Sequence, residues 1–509
     1  MRFFSVPGIS RAASFRKIFF SNRTAGRKKI CAESDLFSQG LNRKSDFGQN
    51  RIFAKAKKRF FRNDSAFCER ASVVRSLVLV SVLFALAACG SSGNKIGSTV
   101  KGTRISIVEM AKQATPDSDV PNHKPELPEP AANQNWPQAG YDPTHVMPNA
   151  ALADQPKEIW SADMGQGSDS DFKLLARPVI NNGSVFTMDS HGLVTALDAR
   201  DGSAKWSFDT TPPDAEDGAI AGGIAADGEA VYATTGFGDV VALDAHNGHE
   251  LWRRALQNPL RAAPTVADGN VYAVSIDNQL SVLRASTGEV LWHHNGIIEN
   301  ATMMGASSPA VVSDGVVVAY SSGEIYNLRA ENGRVSWNYA LASPTQVGAL
   351  PAIADIRGLP VVDRGHVIAI SHSGRMASVD LRTGDRDWEI DVGGINTPVV
   401  AGDTIFALNN DGQLVAVLRE SGRVSWTHDL PHLSDPDDHD SDPVYWTGPV
   451  LGGNRLWLTN SMGQLVSFSP DDGHQIAAID LGEPSYVPPV IAGRTIYVAR
   501  DDGRLVALQ

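Results

Sequence analysis

From Lys157 to Gln509 the chain repeats one short unit about every 40–50 residues, the period of propeller blades. The clearest copy runs Val231-Tyr232-Ala233-Thr234-Thr235, then Gly238-Asp239-Val240-Val241-Ala242-Leu243-Asp244, then Asn247-Gly248, then Glu250-Leu251-Trp252. Each run is short, apolar and bounded by turn residues, which predicts strands. The Asn-Gly step marks a hairpin, because glycine accepts the positive φ that such a turn needs. Equivalent steps are Asp201-Gly202, Thr287-Gly288, Asn332-Gly333, Thr383-Gly384, Ser421-Gly422 and Asp472-Gly473. A Trp follows most of them at matching distance: Trp206, Trp252, Trp292, Trp337, Trp388 and Trp426. The seventh copy has Ile476-Ala477 in that place. One aromatic at one fixed position per repeat reads as packing between neighbouring units, since each must bury its faces against the next.

A first strand opens each copy at Pro178, Pro264, Pro309, Pro351, Pro398, Pro449 and Pro489, with Gly223-Ile224 in the second copy, which makes eight units. The last has Ile496-Tyr497-Val498 and Leu505-Val506-Ala507-Leu508 but no Trp strand before Gln509. Lys157-Glu158-Ile159-Trp160 supplies the missing strand from the other end of the array. A unit built from both ends closes the ring and removes the open edges that invite aggregation. The sequence therefore predicts an all-β fold over residues 157–509: an eight-bladed β-propeller with four-stranded blades, closed by N-terminal strand pairing with the C-terminal blade.

Charge divides the chain. Residues 1–73 hold 17 Lys+Arg against 5 Asp+Glu, a balance of +12, and residues 89–509 hold 27 against 52, a balance of −25. An acidic body repels phosphate backbones, so nucleic-acid binding is not expected. Cysteine is confined to Cys31, Cys68 and Cys89, so the repeats have neither a thiolate metal site nor a cysteine nucleophile.

Between the two halves runs Val74-Arg75-Ser76-Leu77-Val78-Leu79-Val80-Ser81-Val82-Leu83-Phe84-Ala85-Leu86-Ala87-Ala88-Cys89. One Arg before a short apolar run ending in small residues is a secretory signal, too short to span a bilayer well. Leu86-Ala87-Ala88-Cys89 matches the lipobox and resembles a bacterial lipoprotein signal, which implies lipidation of Cys89. Gly90 follows in place of the Asp that retains such proteins at the inner membrane. A signal at residues 74–88 leaves residues 1–73 as an N-terminal extension outside the mature protein, with translation expected to start at Val73 or Val74. Residues 89–156 are dense in Pro, Asn and acidic residues, as in Pro121 to Pro130. Such a segment lacks the apolar surface to order itself and reads as a flexible tether behind the lipidated Cys89.

Ala-Leu-Asp, a glycine turn and then Leu-Trp resembles the PQQ-like repeat of quinoprotein propellers. Lipobox, tether and eight repeats together, over about residues 74–509, resemble the BamB family of lipoproteins in the outer-membrane β-barrel assembly machinery. The resemblance implies a scaffold without catalysis and without a cofactor, held by its lipid on the periplasmic face of the outer membrane. It further implies a single copy in a hetero-complex. Its partners would be the POTRA domains of the BamA-like barrel insertase and unfolded outer-membrane proteins. Two stretches correspond to the family's contact loops. One is Ala301-Thr302-Met303-Met304-Gly305, where relatives carry Leu and Arg, so Met304 departs in the charged position. The other is Asp355-Ile356-Arg357, expected before the second strand of the fifth blade; Asp355 keeps the family's Asp-x-Asp pattern and Arg357 does not. Asp355 reads equally as a partner contact and as an ordinary loop acid.

Two other classes remain open on the residues alone. A PQQ-dependent periplasmic dehydrogenase would share the repeat, but such enzymes carry an adjacent Cys pair that the repeats lack. An unrelated propeller adaptor of an envelope complex would look alike. No Gly-x-Ser-x-Gly, His-Glu-x-x-His or Walker-type motif occurs. Asp435-Pro436-Asp437-Asp438-His439-Asp440-Ser441-Asp442 is dense enough in carboxylates for Ca²⁺, but its spacing is not an EF-hand, and it reads as a solvated loop; no metal is expected.

Overall fold

The computed structural model describes residues 114–120, 123–215, 218–299, 301–341, 354–438 and 440–509. The extension 1–73, the signal at 74–88, Cys89, the tether up to residue 113, Pro351 and His439 lie outside them. The described residues form eight antiparallel sheets of four strands each. In the first blade these are Val179–Asn181, Ser184–Met188, Leu193–Asp198 and Ala204–Asp209. First strands of successive blades touch one another, Val179–Asn181 with Gly223–Asp227, then Thr265–Ala267, Ala310–Val312 and Val361–Asp363. They therefore surround the axis, and the fourth strands form the rim.

Burial follows from this stacking. In the third blade Asn270–Val274 is buried beyond its first residue, whereas Val290–Asn295 alternates between exposed and half-buried. Inner strands are sandwiched between neighbouring blades on both faces, so they read as continuous apolar runs; only the rim strand meets water. The eighth blade joins Val490–Ala492, Thr495–Ala499 and Arg504–Leu508 to Glu158–Asp163. Trp160 pairs with Ala507 there, and Lys157 and Gln509 exchange backbone hydrogen bonds of 2.9 Å in both directions. The ring closes as the sequence predicts.

Each repeat Trp sits beside a shift in strand register, as between Ala242 and Leu243 opposite Trp252. Such a bulge re-aims a side chain. The Trp ring lies on the turn glycine of the next blade. A Cβ on Gly288 (φ +67°) would stand 2.5 Å from Trp252, and one on Gly248 2.5 Å from Trp206. The indole Nε1 then donates to a carbonyl of that next blade: Trp160 to Ala199, Trp206 to Ala245, Trp252 to Ala285, Trp292 to Ala330, Trp337 to Leu381, Trp388 to Arg419 and Trp426 to Pro470. The two irregular copies have one cause. The eighth blade has no third-to-fourth hairpin, only the seam between Gln509 and Lys157, so the seventh blade has no turn glycine to cover and carries Ala477 instead of Trp.

Two expectations are corrected. The fifth blade opens at Pro360, immediately before Val361–Asp363, not at Pro351, and Asp355–Arg357 therefore precede its first strand and not its second. The connection holds both prolines, and only the later one adjoins the strand. The second correction concerns the tether, whose described residues are held to the ring from Asp117 onward. His123 pairs with Asp403 at 3.0 Å, and the Glu126 amide donates to the same carboxylate. Residues 133–150 then enter the axis and pass the blades in ring order. Asn133 accepts from Gly493, Trp136 from Ile180, Pro137 from Ala226, Pro143 from Val311, Thr144 from Val362 and Ala150 from Gly453. The Gln138 side chain bonds Val266 in both directions. Val146 packs against the apolar cluster shared by the fifth and sixth blades. Trp136 is 0% exposed. First strands present unpaired backbone groups to the axis, and burial without partners would cost heavily. This axial strap supplies the partners, and that need orders a segment whose composition alone would not.

Candidate partner-binding face

The two faces of the ring differ in what they carry. On the near face lie the turns after the first and third strands, tied together by bonds such as Ala285 N–H to Gly269 O (2.9 Å). On the far face lie the turns after the second strands and the long connections between blades. There Leu256 N–H donates to Gly238 O (2.7 Å) and Leu341 N–H to Gly323 O (2.8 Å). These bonds fix the points at which the far-face connections leave their rim strands.

Both sequence-predicted contact stretches lie on the far face, and the structure brings them together. The Met303 amide donates to Asp355 Oδ2 at 2.8 Å. His372 N–H donates to the Asp355 carbonyl at 2.9 Å. Asp355 is only 3% exposed. Burial pushes its carboxyl above the ordinary range, opposed by the Met303 amide and by the charges of Arg357 and His372. It is thus an internal clamp on the Met303 loop. Met304 is 42% exposed, and Ile297 and Ile298, on the same connection, are more so. Tyr445, Met462 and Tyr486 are also exposed, on far-face segments of the seventh and eighth blades.

Arg357 turns towards the axis rather than outward. Gly305 (φ +90°) makes room for it: a Cβ there would stand 3.1 Å from Arg357 Nε. Arg357, Arg177 and Arg261 line one axial cavity of about 80 Å³. Sequence reading missed Arg177 and Arg261. A signal existed once Pro360 is taken as the fifth opener. The residues three before six of the eight openers, Leu175, Arg261, Ala306, Arg357, Ile395 and Tyr486, line this cavity, while Ile220 and Trp446 before the other two do not.

The acidic loop closes on itself. Asp435 Oδ1 accepts from the Asp437 amide and Asp438 Oδ1 from the Asp440 amide, both at 3.0 Å. Among the described residues no group of three potential ligands could hold a metal ion.

A family model described as outer membrane protein assembly factor BamB matches residues 150–220 and 214–428, more than half of the chain. The chain belongs to the BamB family. BamB of Yersinia pestis is 26% identical over 359 residues, 69% of this chain and 88% of that protein. BamB of Escherichia coli strain K12 is 26% identical over the same shares. The crystal structure of BamB from Moraxella catarrhalis superposes with a TM-score of 0.58 at 20% identity, over 70% of this chain and 100% of that one. Quinohemoprotein alcohol dehydrogenase from Comamonas testosteroni reaches 0.56 at 14% identity, over 74% and 81%. At such identities the likeness is one of fold. The BamB relatives are assembly factors and not enzymes, and the ring belongs with them as a non-catalytic member.

Proposed function

We propose that this protein is a lipid-anchored periplasmic scaffold in the assembly of outer-membrane β-barrels. Cys89 carries the anchor, after removal of the signal at residues 74–88 and without residues 1–73. The far face holds the POTRA domains of a BamA-like insertase and helps unfolded outer-membrane proteins on their way to insertion. The observation that carries this reading is the far-face connection bearing Ile297, Ile298 and Met304, clamped from beneath by Asp355. An exposed apolar group next to a pinned amide, as Met304 is to Met303, can fill a partner pocket at reduced entropic cost. Met at this place gives an adaptable contact.

The test is a pull-down of the C-terminally tagged protein from mildly solubilised outer membranes, read by mass spectrometry. Near-stoichiometric recovery of a POTRA-bearing insertase is expected. Met304→Glu should lower that recovery by about tenfold or more, the effect of losing one interface anchor, with an unchanged Tm. Recovery of the protein alone would remove the assignment.

A further inference from the structure

We propose that the axis of the ring holds a binding site for a small oxyanion, a phosphate or a carboxylate, with Arg177, Arg261 and Arg357 as its ligands. The three guanidiniums come from the approaches to the first, third and fifth blades, so only ring closure brings them together. Their cavity measures about 80 Å³ and is floored by Ala139 of the axial strap. Thr397 and Thr447 also line it. One water needs roughly 10–15 Å³ on this measure, so the space admits a group of several heavy atoms.

Among the described residues the arginines are short of partners, apart from the charge of the buried Asp355 near Arg357. Elsewhere in the ring half-buried arginines are paired, Arg253 with Asp239 at 2.9 Å and Arg375 with Glu389 at 3.0 Å. Among the described residues no carboxylate stands within 4.0 Å of Arg177, Arg261 or Arg357 in this way. Arg177 Nη1 donates to the Ala139 carbonyl at 2.9 Å, while Arg261 Nε is buried with no hydrogen-bond partner. A cluster of three cations stands out in a body whose balance is −25. Burial, and then the charge of Arg357, hold the Arg177 guanidinium down to about 10. Buried donors without acceptors and like charges at close range are both costly. An oxyanion relieves both at once, because planar guanidiniums match carboxylate and phosphate oxygens in pairs.

The test is isothermal titration of the purified full-length protein at low ionic strength, with chloride as the only other anion. One arm uses inorganic phosphate; the other uses the N-methylamide of N-acetyl-aspartic acid, which presents a side-chain carboxylate. Saturable one-to-one binding is expected in at least one arm. Arg261→Gln and Arg357→Gln should each weaken it about tenfold to a hundredfold, the range for hydrogen bonds to charged groups. Binding of phosphate marks a site for a free anion. Binding of the aspartyl probe alone marks a site for an acidic side chain of a partner. In the same chloride buffer without either probe Arg261→Gln should keep or raise Tm, since it removes an unpaired charge, so lost binding is not confused with misfolding. Saturation by neither probe, or equal affinity in parent and variants, overturns the inference. The isolated protein suffices, so this outcome stands apart from capture of any partner.

Discussion

Replacing Trp136 by Ala removes the largest side chain of the axial strap. The residue is fully buried, and its backbone exchanges bonds of 2.8 Å with Ile180 in both directions. An indole buries on the order of 200 Å². At about 25 cal/mol per Å² that is about 5 kcal/mol, and Trp→Ala changes in cores run about 3–5 kcal/mol. The strap can release without opening the ring, so the loss should appear first as local opening. The reporters are ring amides whose acceptors belong to the strap: Ala226, Val311 and Val362. A loss of about 4 kcal/mol speeds their hydrogen exchange by about a thousandfold, at about 1.4 kcal/mol per tenfold. Amides deep within a blade, such as Val271, should barely change. Trp136→Phe separates packing from polarity. The indole Nε1 is buried without a partner, so losing it offsets the lost area, and this variant should lie within about 1 kcal/mol of the parent. Exchange of all three reporters at the parental rate in Trp136→Ala would refute the account of the strap as a packed part of the core.

Gly288→Ala should cost at least about 3 kcal/mol in urea unfolding, since it adds a clash with Trp252 to the strain of a left-handed residue. Gly183→Ala, at φ +74° with nothing within 4 Å of its Cβ, should cost only about 1 kcal/mol. Ala477→Trp should not raise Tm, because the seam of the eighth blade offers no turn glycine; a gain like that of a native repeat Trp would contradict the pairing of Trp with turn. Acid should loosen the strap through His145, which is buried, bonds the Pro360 carbonyl through Nδ1 at 2.8 Å and has its pKa lowered by burial to about 4. Between the unfolded value near 6.5 and about 4 the unfolded chain binds the extra proton, so stability falls as pH falls through that window. The loss reaches about 2 kcal/mol by pH 5. His145→Gln should flatten this part of the Tm–pH profile, and a profile unchanged by the substitution would count against it.

The ring was legible because its signals are local and repeated. Turn glycine, Trp and apolar run recur in one order, and eight imperfect copies correct one another. Even the terminal strand exchange could be read, from a Trp strand lacking at one end and present at the other. The fifth opener was misread because Pro351 and Pro360 share one long connection, and nothing in the local pattern chooses between them. The strap was not legible for a deeper reason. Residues 133–150 carry no period of their own, and what orders them is the set of unpaired backbone groups on first strands far along the chain. The same holds for the arginine cluster, whose members precede the first, third and fifth blades and meet only when the ring closes. Asp355 was legible as special but not in its role, since burial cannot be read from a three-residue pattern.

The order in which the chain touches the ring also sets how it would bear tension. A pull from the N-terminal side arrives at the rim of the sixth blade, where the Asp117 amide donates to the Val424 carbonyl and Arg423 pairs with Asp119. It next meets the axis, where bonds to seven blades would have to shear in succession. Only then does it reach Glu158–Asp163, the strand whose removal would open the ring. The seam is thus shielded from force by the segment that precedes it, and a propeller held by one end can be tugged without being unzipped.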